Sequence, residues 1–321
     1  MAERLADVVA QIQNVRQLEA VVTAMRGIAA SRAQQARSLL TGIEAYTEVI
    51  SAAIGQALSL VPADQSARSA PTPSRPGRRG LILFCAEQGF AGAFSERVLD
   101  AVTRDLEGAI SFLIGTRGAA VANERGIRPA WAASLATHIG AIPSFANRLA
   151  DALYERVADG TVVRVDVVFS RSRRGGGIEI DRDSLLPIDL SRFARPVQNH
   201  PPLTTLAPGA LLERLASEYI YAQLCEAATH AFAAENEARM MAMASAKTNI
   251  ETTFDLVNGI LCRKRSDVIL ERLQRRDVLV RQEIPTHAER LAEFDEGRPK
   301  SRKGKAKALR RRRRARQMQP G

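Results

Sequence analysis

Apolar residues recur in two long stripes at helical spacing, one near each end of the chain. The first stripe alternates steps of three and four residues from Leu5 to Ala53, which is the two-per-heptad pattern of a coiled-coil seam. The second stripe runs from Pro208 to Leu261. A single helix over residues 3–60 would be roughly 80 Å long and could not bury its own stripe. We therefore predict that the two long helices pair as an antiparallel coiled coil.

Between the stripes, the pattern changes to short apolar runs that alternate with amphipathic segments. Strands are predicted at 80–86, 110–114, 130–135 and 161–170, with a hairpin partner at 177–180, and helices at 94–106, 118–125 and 145–158. Such alternation is typical of a small, mostly parallel sheet. The predicted fold is α/β plus a long antiparallel coiled coil, with a small Rossmann-like α/β domain inserted between the paired N- and C-terminal helices.

Charge and composition divide the chain into five predicted segments. Of the 46 Lys and Arg residues, 12 lie from Arg298 onward with no acidic residue among them, which leaves 34 basic against 35 acidic residues before that point. The last segment is therefore expected to be a disordered basic tail on a nearly neutral body. The five segments are an N-terminal coiled-coil helix at 1–60, a linker at 61–79, an α/β domain at 80–200, a C-terminal coiled-coil helix at 208–284 and the tail at 298–321.

The turn Glu87–Gly92 is the strongest candidate for nucleotide chemistry, because a strand, a glycine turn and a helix can bind phosphate. Its sequence E-Q-G-F-A-G lacks the first glycine of the dinucleotide fingerprint and the lysine of a P-loop. We predict a tight turn that binds ATP no better than millimolar. The 4 histidines and 3 cysteines show no ligand, disulfide or nucleophile spacing. We therefore expect no catalytic residue, no metal, no cofactor and a reducing compartment.

The run from Glu235 to Asn249 combines small and flexible apolar residues with polar residues on one helix face. Glu235 lies on the same face as Ala231 and Ala238, where a surface helix would normally carry leucine. The run resembles the signature E-x-x-A-R-M-x-A-M-x-x-A-x-x-N of the gamma subunit of F-type ATP synthases. The residues that match this signature are Glu235, Ala238, Arg239, Met240, Ala242, Met243, Ala246 and Asn249.

Two further segments are similar to the same family. Residues 23–32 resemble the family's Met…Ala-Ala-Ser-Lys run, with Arg32 in place of lysine, and Glu87–Gly92 resembles its D-R-G-L-C-G turn, which binds no nucleotide. Near the end of the second helix, Arg265 and Ile269 match the family pattern. The residues Cys262, Ser266 and Leu270 depart from it. These departures and the basic tail favour a divergent paralogue, such as the gamma subunit of the alternative ion-pumping ATPase (N-ATPase) operons.

The resemblance implies a non-catalytic rotor, the central stalk that couples ATP synthesis or hydrolysis to proton or sodium transport. The implied partners are the alpha and beta subunits, the epsilon subunit and the membrane c-ring, at the cytoplasmic face of a bacterial inner membrane. The basic tail is a candidate contact for anionic lipid. The predicted rotor-interface residues are Met25, Arg26, Arg32, Glu235, Arg239, Met240, Met243, Asn249 and Arg265.

Two alternatives from other classes remain open at this point. A coiled-coil protein could bind nucleic acid through the basic tail, but the body is nearly neutral and the tail lacks aromatic residues between its basic ones. An enzyme could use the α/β domain to bind a nucleotide, but the phosphate and catalytic motifs are missing. We therefore favour the rotor and expect no specific contact with nucleic acid.

Overall fold

The computed structural model of the chain describes residues 2–61, 77–173, 177–195 and 203–283. It divides into two compact units, one over Val15–Thr253 and one that combines the two ends of the chain. Most of the predicted linker and the whole basic tail lie outside the described residues. The division into five segments stays a prediction.

Among the described residues, five α-helices and five strands follow the predicted order. The helices are α1 (Ala2–Ser59), α2 (Phe94–Val102), α3 (Thr116–Glu124), α4 (Ile142–Ala158) and α5 (Pro208–Glu283). The strands are β1 (Arg78–Phe84), β2 (Ile110–Ile114), β3 (Trp131–Ala133), β4 (Val162–Ser172) and β5 (Ile178–Leu186). Helix α2 ends earlier than predicted, because the chain turns after Val102, whose carbonyl accepts the N–H groups of Asp105 and Leu106.

The strands form one sheet in the order β3-β2-β1-β4-β5. Strands β3, β2, β1 and β4 are parallel, and β5 returns antiparallel to β4 as the predicted hairpin. Alternate side chains of β1 point to opposite faces. Ile82 and Phe84 belong to the core shared with α4 and α5, whereas Leu81 and Leu83 belong to the core with α2 and α3. Burial on both faces explains why β1 is continuously apolar from Leu81 to Phe84.

In the larger unit, side chains of α1 and α5 meet in an antiparallel sense. Glu19 lies 4.0 Å from Lys247 between Oε1 and Nζ, and the Tyr46 hydroxyl donates to the Glu218 carboxylate at 2.8 Å. Residue numbers along α5 therefore decrease as those along α1 increase. The predicted antiparallel pairing of the terminal helices is therefore confirmed.

The second unit contains the first turns of α1 and the last turns of α5. Its apolar cluster is small and comes from both helices. The members of this cluster are Val8, Ile12, Phe254, Val257 and Leu261. These residues continue the two stripes predicted from the sequence, so the seam is also present in this unit.

The long helices also expose large apolar side chains, among them Leu18, which the sequence pattern had placed in the buried stripe. On α1, Leu18, Val21 and Ile28 are each more than half exposed, and their spacing places them on one side of the helix. On α5, Leu256 and Ile269 are similarly exposed. No helix among the described residues is long and apolar enough to cross a membrane. The exposed apolar residues on each helix form surfaces that a partner could cover.

Candidate functional site where the β1 loop meets the second long helix

The turn after β1 is bound to α5 through the carboxylate of Glu235. The backbone N–H groups of Glu87 and Gln88 donate to its two oxygens, at 3.0 Å and 3.1 Å. The N–H of Ala86, one residue earlier, donates to the Ser95 hydroxyl at 3.1 Å. Glu235 is 3% exposed, so its charge is held almost entirely by protein groups.

Arg239 neutralises that carboxylate from one helical turn further along α5. Its guanidinium donates to Glu235 at 2.5 Å and to the Asn236 side chain at 3.1 Å. It also donates to the carbonyls of Gly89 at 3.1 Å and Gln88 at 3.3 Å. Arg239 is 5% exposed. The planar guanidinium therefore joins the helix to the loop with charge-assisted bonds.

Glu87 holds the same loop to the rest of the sheet. Its carboxylate accepts bonds from the N–H and hydroxyl of Thr116, at 3.0 Å and 2.8 Å, and from the N–H of Leu135 at 2.8 Å. These donors follow β2 and β3, so one side chain ties together the carboxyl ends of three strands. Gly115 is needed beside it, because its φ is +108° and a Cβ there would lie 2.6 Å from the carbonyl oxygens of Cys85 and Ala86.

The tip of the loop carries an exposed aromatic residue in an uncommon backbone conformation. Phe90 has φ +62° and is 68% exposed. A bulky residue in the left-handed region is strained unless its surroundings fix the chain. The bonds made by Glu235, Arg239 and Glu87 provide that constraint. The loop is therefore a fixed platform with Phe90 at its surface.

Helix α5 leaves little free space above this loop. Ala234 and Ala238 pack against Ala91 and Phe94, and their small side chains allow the helix to come close. The cavity that remains between the loop and the helix has a volume of about 10 Å³, which is room for about one water molecule. The glycine turn is present as predicted, and α5 occupies the space above it.

The structure separates the predicted rotor-interface residues into two groups. Three of them are buried within the chain, and the other six are partly or fully exposed. The buried ones are Glu235, Arg239 and Met243. The partly buried ones are Met25, Arg32 and Met240, and the exposed ones are Arg26, Asn249 and Arg265. Contact of each with a partner stays a prediction.

Sequence reasoning missed the internal role of Glu87 and of Asn236. The sequence pattern indicates only a glycine turn at Glu87, although an acidic residue directly after a buried strand is a usable signal. Asn236 accepts from Arg239 and donates to the Phe232 carbonyl at 2.8 Å. It lies on a helix between two signature positions, and no pattern in the sequence distinguishes it from a surface residue.

A second charged cluster lies at the opposite end of β1. Asp166 is 2% exposed, and its carboxylate accepts bonds from Arg79 and Arg182. Arg182 also donates to Asp105 at 2.7 Å, and this bond lowers the pKa of the Asp105 carboxyl. The described residues contain no group of His, Cys, Asp or Glu side chains that could hold a metal ion. This cluster pairs its charges within the domain and is structural.

The comparisons with known proteins agree with this architecture. A family model described as ATP synthase matches residues 4–273. The ATP synthase gamma chain of Clavibacter sepedonicus is 25% identical over 260 residues, which cover 75% of this chain and 85% of the relative. That of Solibacter usitatus is 23% identical over 287 residues, covering 84% and 95%.

A solved structure has the same fold. A chain of the Euglena gracilis mitochondrial ATP synthase in rotational state 3 matches with a TM-score of 0.55 at 10% identity, covering 89% of this chain and 98% of that one. At this identity, the likeness concerns the fold alone. The family match, in contrast, extends over most of the sequence. The chain therefore belongs to the ATP synthase family, and the relatives that it matches over most of their length are gamma chains.

Proposed function

We propose that this chain is the gamma subunit of an F-type ATP synthase, the central stalk that turns inside a ring of alpha and beta subunits. Its rotation couples ATP synthesis or hydrolysis to the transport of protons or sodium ions across a membrane. The observation that carries this proposal is the family match over residues 4–273. The antiparallel pair of terminal helices with an inserted α/β domain supports it.

The proposed mechanism is mechanical and requires no catalytic group on this chain. A pair of helices presents different side chains on each side, as the exposed Leu18, Val21 and Ile28 of α1 illustrate. When the pair turns inside a ring, each nucleotide-binding subunit meets a different surface. Differential contact then shifts each site among conformations of different affinity. The chain thus changes nucleotide affinity in its partners without binding nucleotide itself.

The α/β domain would transmit torque between the membrane c-ring and the helices, and would also carry the epsilon subunit. Torque transmission requires a joint that does not yield. The bonds from Glu235 and Arg239 to the β1 loop supply such a joint in the larger unit. Both residues were predicted as interface residues, and their internal bonds give them a second role that is independent of the partners.

The exposed candidates Arg26, Asn249 and Arg265 are the residues we propose to contact the alpha and beta subunits. Each projects from a long helix and is exposed. Met25, Arg32 and Met240 are partly buried and would border the same surfaces. A cationic residue at such a surface contributes to orientation and specificity as well as to affinity.

The proposed location is the cytoplasmic face of a bacterial inner membrane, where the chain would be a peripheral part of the complex. The divergent-paralogue assignment stays a prediction. The nucleic-acid alternative depends on the tail at 298–321, which lies outside the described residues, and the family match gives it no support.

Co-assembly with the alpha and beta subunits of the same organism tests the proposal. We expect co-expression of the three chains to give one complex that hydrolyses ATP, whereas the isolated chain should have no ATPase activity. The triple variant of Arg26, Asn249 and Arg265 to alanine should assemble less well than the wild type. If the chain elutes alone, or if it co-purifies with nucleic acid instead, the rotor assignment is wrong.

A further inference from the structure

The order of the strands identifies one place in this sheet where a ligand would normally bind. In open α/β sheets, ligands bind outside the carboxyl ends of the strands, where successive connections leave in opposite directions. In the order β3-β2-β1-β4-β5, that point lies between β1 and β4. The loop Glu87–Gly92 follows β1 and borders this crevice. This loop is the position at which a Rossmann-like domain would hold an anionic group.

The crevice is filled by the chain itself. Ala234 and Ala238 of α5 pack beside Ala86 and Ala91 of the loop. Glu235, between those alanines in sequence, directs its carboxylate to the loop backbone. Ala234 is fully buried. A segment distant in sequence therefore occupies the ligand position of the domain.

The contacts of the Glu235 carboxylate are those of a bound oxyanion. Its Oε2 accepts the N–H of Glu87 at 3.0 Å and its Oε1 accepts the N–H of Gln88 at 3.1 Å. Successive backbone N–H groups that converge in this way form a site for anions. Arg239 supplies a cation to Oε1 at 2.5 Å. The carboxylate is thus bound by two backbone donors and one guanidinium in a buried position.

We infer that the Glu87–Gly92 loop is a binding site for small oxyanions that the chain fills with its own Glu235 carboxylate. The ligand class is a carboxylate or a phosphate oxyanion, because the donors are two N–H groups and one guanidinium. The internal ligand holds the α/β domain to α5 and keeps external anions out. This inference concerns the loop itself and does not depend on assembly into a rotor.

Truncation of the internal ligand should reopen the site. Glu235→Ala removes the carboxylate but leaves Arg239 and both N–H donors in place, next to a space close to the size of acetate. Glu235→Gln keeps the space filled with a neutral amide. Glu251→Ala is the matched control, because Glu251 lies on the same helix, is exposed and pairs with Lys247.

The experiment compares thermal unfolding of the full chain in sodium acetate and in sodium chloride at equal ionic strength, followed by Trp131 fluorescence. The Glu235→Ala variant should have a lower Tm than the wild type in chloride. Acetate at ten times its Kd should raise that Tm by about 3–6 °C. The wild type, Glu235→Gln and Glu251→Ala should show no acetate-specific rise. Inorganic phosphate, used as a second probe, should act in the same direction as acetate.

Two results would overturn the inference. One is a Tm of Glu235→Ala that is the same in acetate as in chloride. The other is an acetate-specific rise of equal size in the wild type or in Glu251→Ala. If Glu235→Ala does not fold in chloride, the fraction that refolds becomes the readout. Recovery in acetate but not in chloride is then expected, and failure to recover in acetate contradicts the inference.

Discussion

Replacing Arg239 with alanine is the most informative single change at the joint between the helix and the loop. The wild-type guanidinium is 5% exposed and donates to Glu235, Asn236 and the carbonyls of Gly89 and Gln88. The alanine variant removes all four bonds. It also leaves the Glu235 carboxylate buried without a cation.

The expected loss of stability follows from that unpaired charge. Removing one partner of a buried ion pair costs about 3–5 kcal/mol. The two loop carbonyls lose their donor as well, but the terms act at one site and do not add. For a unit of this size, a change of 1 kcal/mol shifts Tm by about 2–4 °C. Arg239→Ala should therefore lower Tm by roughly 6–20 °C.

Urea unfolding followed by fluorescence measures this loss within the α/β domain. Trp131 is the only tryptophan in the sequence. It lies on β3, and its ring centroid is 6.2 Å from that of Phe112, so its emission reports the integrity of the sheet. Arg265→Ala is the control, because Arg265 is exposed on the same helix and its loss should change stability by less than about 0.5 kcal/mol.

The reasoning fails if Arg239→Ala loses less than about 1 kcal/mol or no more than Arg265→Ala does. Either result would mean that the loop stays in place without the guanidinium. Arg265→Ala should instead show its effect in the assembled complex. There it should reduce assembly or turnover, although it leaves the isolated chain stable.

Three further predictions concern groups outside the joint. Under native conditions at neutral pH, a thiol reagent should label exposed Cys262 alone. The other two cysteines are buried, and burial raises the pKa of Cys85 to about 12. Two or more labels per chain in mass spectrometry would contradict this. Asp105→Asn should lower stability at pH 7 by at most about 1 kcal/mol. Arg182 lowers the pKa of Asp105 in the folded chain. The difference in unfolding free energy between the wild type and Asp105→Asn should therefore shrink as the pH falls below the pKa of aspartate in the unfolded chain, about 3.9. A difference that does not change with pH in urea titrations would contradict this prediction. Apart from the adjoining residues and the backbone of its own helix, no described atom lies within 4 Å of a Cβ built at Gly27. Gly27→Ala should therefore stabilise the isolated chain by up to about 1 kcal/mol. A loss of stability would refute that, whereas a loss of turnover alone would indicate a partner contact there.

The long helices and the strands were predictable because their patterns are local. The seam from Leu5 to Ala53 and the apolar run at 80–86 each indicate the element and its burial within a few residues. The antiparallel pairing also followed, since pairing is the simplest way for two long stripes in one chain to bury each other. The sheet order was not predicted in detail, because strand pairing depends on contacts between distant segments that leave no mark in a single sequence.

The joint illustrates the same limit at the level of side chains. Glu235 was placed on an apolar helix face from its spacing, and this position suggested a special role. Its partners are the backbone N–H groups of Glu87 and Gln88, which every residue except proline can supply. A bond to backbone therefore has no sequence signature at one of its ends. The left-handed conformation of Phe90 was equally hidden, because such positions normally carry glycine.

Rotation of this chain inside an alpha/beta ring is the most direct test of its proposed role. The complex would be fixed to a surface through the ring, and a bead would be attached to the α/β domain at an Arg104→Cys substitution, with Cys262 replaced by serine. Addition of ATP should drive rotation of the bead in one direction, and removal of ATP should stop it. A complex that contains the chain and hydrolyses ATP while the bead stays fixed would contradict the rotor assignment.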